Sequence, residues 1–115
     1  MKKIIERYWE DMYAGVVGQD ANKILQHFAV GAVYKFRPAD GMMDVAIEEM
    51  AASCLQYKDI LDSGYVIERI DELADGNWVS MITASVGGKP FFTTSFFKFE
   101  GDKIVELIEY YGDFN

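Results

Sequence analysis

The sequence predicts an α+β protein in which three helices from the first half of the chain pack on one face of an antiparallel sheet. Two observations predict it. Apolar residues recur at helical spacing in three segments before residue 64, and after it four β-branched and aromatic runs follow one another with only turn residues between them. Helices, one strand, a helix and then a series of strands is the order in which helices are segregated to one side of a sheet.

Residues 3–14 set Ile4, Ile5, Tyr8, Trp9, Met12 and Tyr13 in pairs four apart, which makes one apolar helical stripe, with Glu6, Arg7, Glu10 and Asp11 on the other side. Gly15 and Gly18 are expected to stop this helix. Asp20 is the predicted N-cap of a short second helix whose Ala21, Ile24, Leu25 and Phe28 face inward, so that the two form a hairpin. Residues 32–37 alternate as a short strand up to Pro38, and Ala39-Asp40-Gly41 supplies turn chemistry. Asp44 is the expected cap of a third helix carrying Ile47, Met50, Ala51, Cys54, Leu55 and Leu61, broken at Ser63-Gly64. Strands follow over residues 65–73, 78–86, 91–99 and 103–111. Asp75-Gly76, Gly87-Gly88 and Gly101-Asp102 separate them, which predicts three tight hairpins in a meander.

The 115 residues fit one domain, residues 1–115, and no Pro-, Gly- or Ser-rich stretch is long enough for a linker. Half of the residues are hydrophobic and 15% aromatic, enough for a packed core and a lined cavity besides. A formal charge of −8 and a pI near 4.5 point away from nucleic acid and from anionic membranes, whose phosphates need clustered Lys and Arg. Acidic residues interrupt any signal-peptide core at the amino terminus, no stretch is long enough to span a bilayer, and one cysteine permits no intrachain disulfide, so a cytoplasmic location is expected. Cys54 lies in an apolar row and reads as an inert buried thiol.

Several pieces taken in order resemble the nuclear transport factor 2-like superfamily, particularly its SnoaL-like polyketide cyclases and ketosteroid isomerase relatives. They are the opening helix ending in Tyr13-Ala14-Gly15, the segment from Asp20 to Phe28 followed by Ala32-Val33-Tyr34, and the closing hairpin from Phe97 to Val105. The resemblance covers nearly the whole chain and implies a cone: a curved antiparallel sheet with the helices on its concave face. It also implies a homodimer and a small-molecule site. A helix-1 Tyr that hydrogen-bonds the substrate oxygen in the isomerases matches Tyr8, and the acid/base carboxylate of the cyclases matches Glu109. The isomerase base, an Asp immediately before a Pro, is replaced by Arg37 before Pro38. Arg cannot move that proton, so steroid isomerase activity is not expected.

The last strand has two faces, one with Ile104, Glu106, Ile108 and Tyr110, the other with Val105, Leu107, Glu109 and Tyr111. A carboxylate turned into an apolar cone loses water and has its pKa raised, as a general acid/base near neutral pH requires. Which of Glu106 and Glu109 faces inward depends on the turn, because a slip of one residue exchanges the faces. A two-residue turn pairs Phe99 with Ile104 and turns Glu106 the way of Phe97, whereas a three-residue turn favours Glu109. The aromatic residues Trp9, Tyr13, Tyr34, Phe36, Phe97 and Tyr111 are candidate walls for a flat apolar ligand, and Met12, Met50 and Thr93 join them.

Other chemistry has less support. A single histidine, His27, excludes a zinc cluster and a Ser-His-Asp triad, no EF-hand spacing occurs, and Gly87-Gly88 precedes a strand and not a helix, so neither metal nor cofactor is expected. Ser80, Ser85 and Ser95 have no partner motif. His27 reads as a surface or helix-end residue. Two functions therefore stand: a small-molecule-binding cone protein acting as an acid/base enzyme of cyclase, isomerase or hydratase type on an apolar ring-bearing compound, or a non-catalytic ligand-carrier or protein-interaction module. An open cavity holding one buried carboxylate and a Tyr hydroxyl separates the first from the second.

Overall fold

The computed structural model describes residues 1–37, 41–59 and 61–113. In chain order the elements are α1 (Lys2–Gly18), α2 (Ala21–Leu25), β1 (Phe28–Arg37), β2 (Met43–Val45), α3 (Ile47–Leu55), β3 (Leu61–Glu72), β4 (Trp78–Val86), β5 (Lys89–Glu100) and β6 (Lys103–Asp113). The strands form one curved, unclosed sheet in the order β2-β1-β6-β5-β4-β3, and the helices lie on its concave face. Every neighbouring pair is antiparallel except β1 and β6, which run parallel.

The first helix runs through Gly15 and ends only where Gln19 turns left-handed at φ 54°, its N–H bonded to the carbonyls of Gly15 and Val16. Gly15 is a packing residue and not a stop. A Cβ there would lie 2.8 Å from the Asp20 carbonyl oxygen and 3.1 Å from Ile24 Cγ1, so its bare Cα lets α2 fold back against α1. Asp20 caps α2 as expected, its carboxylate accepting from Asn22 N–H at 3.1 Å. Phe28, expected on that helix, instead begins β1 and pairs with Ile104.

Two further expectations are corrected around α3. Asp44 does not cap it, because Asp44 sits in the short strand β2 opposite Lys35, and the N-cap position falls to Ala46 with no side-chain bond. The helix also stops at Leu55 and does not continue to Leu61, which already belongs to β3. Gln19 Nε2 donates to the Leu55 carbonyl at 2.8 Å, satisfying one of the acceptors that a longer helix would have used itself. Of the turn expected at Ala39-Asp40-Gly41, residues 39 and 40 lie outside the described residues.

The three hairpin turns fall where expected, and Gly87 and Gly88, at φ 60° and 80°, make the two-residue turn that lets Val86 face Lys89. At the last turn Glu100 pairs with Lys103 and Phe99 with Ile104, which alone would send Glu106 inward. A bulge at Val105 intervenes. Lys98 pairs with Glu106, Phe97 with Leu107 and Ser95 with Glu109, so the inward face changes from Ile104 to Leu107, Glu109 and Tyr111. Val105 has no residue of its own opposite it on β5.

The core forms between the helices and this face. Ile5, Tyr8, Met12 and Val16 from α1, Ile24 from α2 and Met50 with Ala51 from α3 meet Tyr34, Ile82, Phe97, Ile104 and Leu107 from the sheet. No helix among the described residues is long and apolar enough to cross a membrane.

Candidate functional site

Glu109 is buried, at 3% exposure, on the concave face of β6, and three side chains hydrogen-bond to its carboxyl. Ser95, directly opposite on β5, donates to Oε2 at 2.5 Å, while the Tyr34 and Tyr111 hydroxyls donate to Oε1 at 2.7 and 2.9 Å. The two phenolic oxygens are themselves 2.6 Å apart. β1 supplies Tyr34 because it runs parallel beside β6, and Tyr111 follows from the two-residue period of the strand.

Burial raises the Glu109 carboxyl above its ordinary value, and the hydrogen bonds from Ser95, Tyr34 and Tyr111 oppose that rise without cancelling it. Hydrogen accounting agrees with a held proton. Tyr34, Tyr111 and Oε1 form a triangle with three contacts, and an ionised Glu109 accepting from both phenols leaves the contact between them without a hydrogen; a proton on Oε1 fills all three in a ring, Oε1 then donating to one phenol and accepting from the other. Burial, followed by the nearby Glu109 charge, raises the Tyr34 and Tyr111 phenols as well, so both remain donors.

This group opens on a cavity of about 600 Å³ between the helices and the sheet. Trp9, Met12, Tyr13 and Met50 line it from the helices, and Tyr34, Phe36, Thr93 and Tyr111 from the sheet, together with Glu109. The structure thus brings those expected site residues to one hollow. Trp9 is held by its indole N–H, which donates to Ser80 Oγ at 3.0 Å, and Ser80 in turn stands opposite Ser95. A buried polar row, Ser80-Ser95-Glu109, therefore crosses β4, β5 and β6. Tyr13 accepts from Gly64 N–H at 3.0 Å, which ties α1 to β3 at the side of the cavity.

Two expected site residues lie elsewhere. Phe97 is not in the cavity wall; it is 1% exposed within the core, edge-on to Tyr8 at 5.7 Å and stacked on Phe99 at 5.9 Å. Tyr8 is likewise enclosed, by Trp9, His27, Phe28 and Phe97, and it does not line the cavity. Its hydroxyl is buried without a hydrogen-bond partner among the described residues, and burial, then Glu109, raises its pKa. Arg37 is exposed and stands outside the lining.

Some wall residues escaped the sequence reading. Glu49, Ser53, Gln56 and Tyr57 join from α3 and the residues after it, which no motif marks. Ser95, which does not line the cavity but holds Glu109 from behind, was missed as well, and the pattern Thr93, Ser95, Phe97 on one face of a strand, two small hydroxyls beside aromatics, was the signal for it. Cys54 also lines the cavity; its thiol donates to Met50 Sδ at 3.8 Å and burial pushes it up to about 12, which suits an inert thiol. His27 is not a free surface residue: its Nε2 lies 2.8 Å from Asp11 Oδ2, joining the end of α2 to α1.

The fold is that of nuclear transport factor 2-like proteins. Over 99% of this chain and 87% of the other it superposes, with a TM-score of 0.70 and 16% identity, on such a protein of unknown function from Burkholderia xenovorans. A candidate ketosteroid isomerase from Kribbella flavida matches 98% of this chain and 78% of its own at TM-score 0.70 and 11% identity. A cystatin-like protein of unknown function from Methylobium petroleophilum matches 99% and 76% at TM-score 0.70 and 19% identity. No protein-family model matches the chain, and no curated protein matches it by sequence.

Proposed function

We propose that this protein binds a small, apolar, ring-bearing molecule in its cone and works on it by acid/base chemistry of the isomerase, cyclase or hydratase type. One observation carries the reading: a buried carboxyl, raised by burial, forms part of the wall of a largely apolar and aromatic cavity of about 600 Å³. Such a carboxyl holds a proton at a pH where a solvated one does not, and can give it to, or take it from, an atom of a ligand lying against it. Tyr34 and Tyr111 are placed to donate to an oxygen on which charge develops. Tyr8, the donor that the resemblance implies, keeps a buried hydroxyl without a partner among the described residues but stands behind the cavity wall, so in this reading Tyr34 and Tyr111 come before it.

The similarity to a candidate isomerase supports the class of chemistry, whereas Arg37 in place of a base before Pro38 argues against the steroid isomerase reaction itself. The same reading includes a homodimer formed through the outer sheet face. A thermal-shift screen against ring-bearing metabolites tests the proposal, because a ligand that binds only the folded state must raise its midpoint. For a ligand that is turned over, Glu109→Gln is expected to lower turnover by about a hundredfold or more with binding retained. Binding with no turnover in the wild type would replace the enzyme with a carrier.

A further inference from the structure

The cavity wall carries ionisable charge of one sign. Among its described lining residues Glu109 and Glu49 are carboxylic acids and none is Lys, Arg or His. Pro38, Ala39, Asp40, Ile60, Phe114 and Asn115, outside the description, are not basic either. A carboxylate or phosphate ligand would give up its hydration here and find no cation in exchange.

The ionisable side chains facing Glu109 are Tyr34 on β1, Tyr111 on β6, Tyr8 on α1 and Cys54 on α3. Burial raises all four and keeps them neutral near pH 7, and Ser95 on β5 does not ionise. Glu109 is thus the group at this end of the cavity able to take a charge, and that charge is negative. The surrounding rings add attraction of the same sense. Phe36 and Phe91 lie beside Tyr111 at ring separations of 6.0 and 5.4 Å, Tyr34 stacks on Phe36 at 6.2 Å, and all four line the cavity. The negative faces of such rings favour a cation over a neutral group of equal size. The formal charge of −8 on the whole chain draws in positively charged ligands.

We propose that the ligand of this cavity is a ring-bearing organic cation, a protonated amine or a quaternary ammonium, seated among the Tyr34, Phe36, Phe91 and Tyr111 rings with Glu109 ionised as its counter-ion. This rests on the small-molecule reading above, keeping its ring-bearing ligand but giving that ligand a positive charge. A neutral ligand leaves the Glu109 proton in place, whereas a cation displaces it to bulk water. Affinity for the cation therefore rises with pH across the range in which Glu109 titrates in the free protein, and affinity for a neutral ligand does not.

Calorimetry at physiological ionic strength with phenyltrimethylammonium, its neutral isostere tert-butylbenzene, and benzoate tests the inference. The cation is expected to bind about tenfold or more tightly than the isostere, benzoate weakest of the three, and in Glu109→Gln the cation's advantage is expected to shrink to the small part that the rings alone supply. Should that variant not fold, the wild-type protein still decides: cation affinity must climb with pH while that of the isostere stays level. Equal affinity for cation and isostere in the wild type, or a cation preference undiminished in Glu109→Gln, overturns the role of Glu109 as counter-ion and leaves the small-molecule reading intact. Failure of all three compounds to bind sinks both.

Discussion

Glu109 keeps its proton in the folded chain at a pH where the unfolded chain has lost it, because burial raises it above the ordinary 4.5. The sign of the stability effect follows. The native state binds more protons than the unfolded state between the two pKa values, so this residue's contribution is fully present below the ordinary carboxyl range and is lost as pH rises through the folded value. Glu109→Gln has no such titration. Its melting temperature should fall less steeply than the wild type's as pH rises above the ordinary carboxyl range, and at neutral pH should equal or exceed it. Thermal melts from that range up to neutral pH check both points; a variant less stable at neutral pH with an unchanged slope would mean that the bonds from Ser95, Tyr34 and Tyr111 outweigh burial.

The corner between α1 and α2 depends on Gly15. An alanine gains about 1 kcal/mol of helix propensity there, but its methyl would stand 2.8 Å from a backbone oxygen that no side-chain rotation can move. Gly15→Ala should therefore destabilise the protein by about 1–3 kcal/mol in urea unfolding, the usual cost of overfilling a packed site. An unshifted midpoint would show that α2 can retreat freely. The same glycine shows what the sequence made legible and what it did not. Helix and strand identities follow from period, and the three turns from Gly and Asp chemistry, but Gly15 reads as a stop because its neighbour in space, Asp20, is a tertiary contact. Asp44 looks like a cap until Lys35 claims it as a strand partner. Trp9, Met12 and Tyr34 could be placed in the site by face alone, whereas Tyr8 and Phe97 share that face and end in the core, since depth beneath a curved sheet has no period. Glu109 was one of two candidates, and the turn length by which they were to be told apart was not what decided between them.

The outer surface of the sheet carries exposed apolar side chains on several strands. Val66 is 57% exposed, Met81 44% and Tyr110 39%, and Phe96 packs edge-on to Tyr110 at 5.8 Å on that side. A homodimer closing on this face should sediment as one species of twice the chain mass at tens of micromolar, and Met81→Lys should shift it towards monomer. Monomer alone at that concentration would remove the dimer from the proposal. The same sheet makes the inner chemistry depend on the residue count along β6, and Val105, with no chemistry of its own, is tolerated only because the bulge takes it out of the ladder. Loss of Val105 would leave Glu106, Leu107 and Glu109 opposite Lys98, Phe97 and Ser95, whereas gain of a single codon between Leu107 and Ile108, with no second bulge to absorb it, would leave every wall residue spelled as before yet turn the outer half of β6 over, exchanging Glu109 and Tyr111 for Ile108 and Tyr110 at the hollow. In a lineage built on this frame, proton chemistry can therefore be acquired or discarded by a change in length alone, and two chains that align well at every lettered position can differ completely in what their cones are able to do.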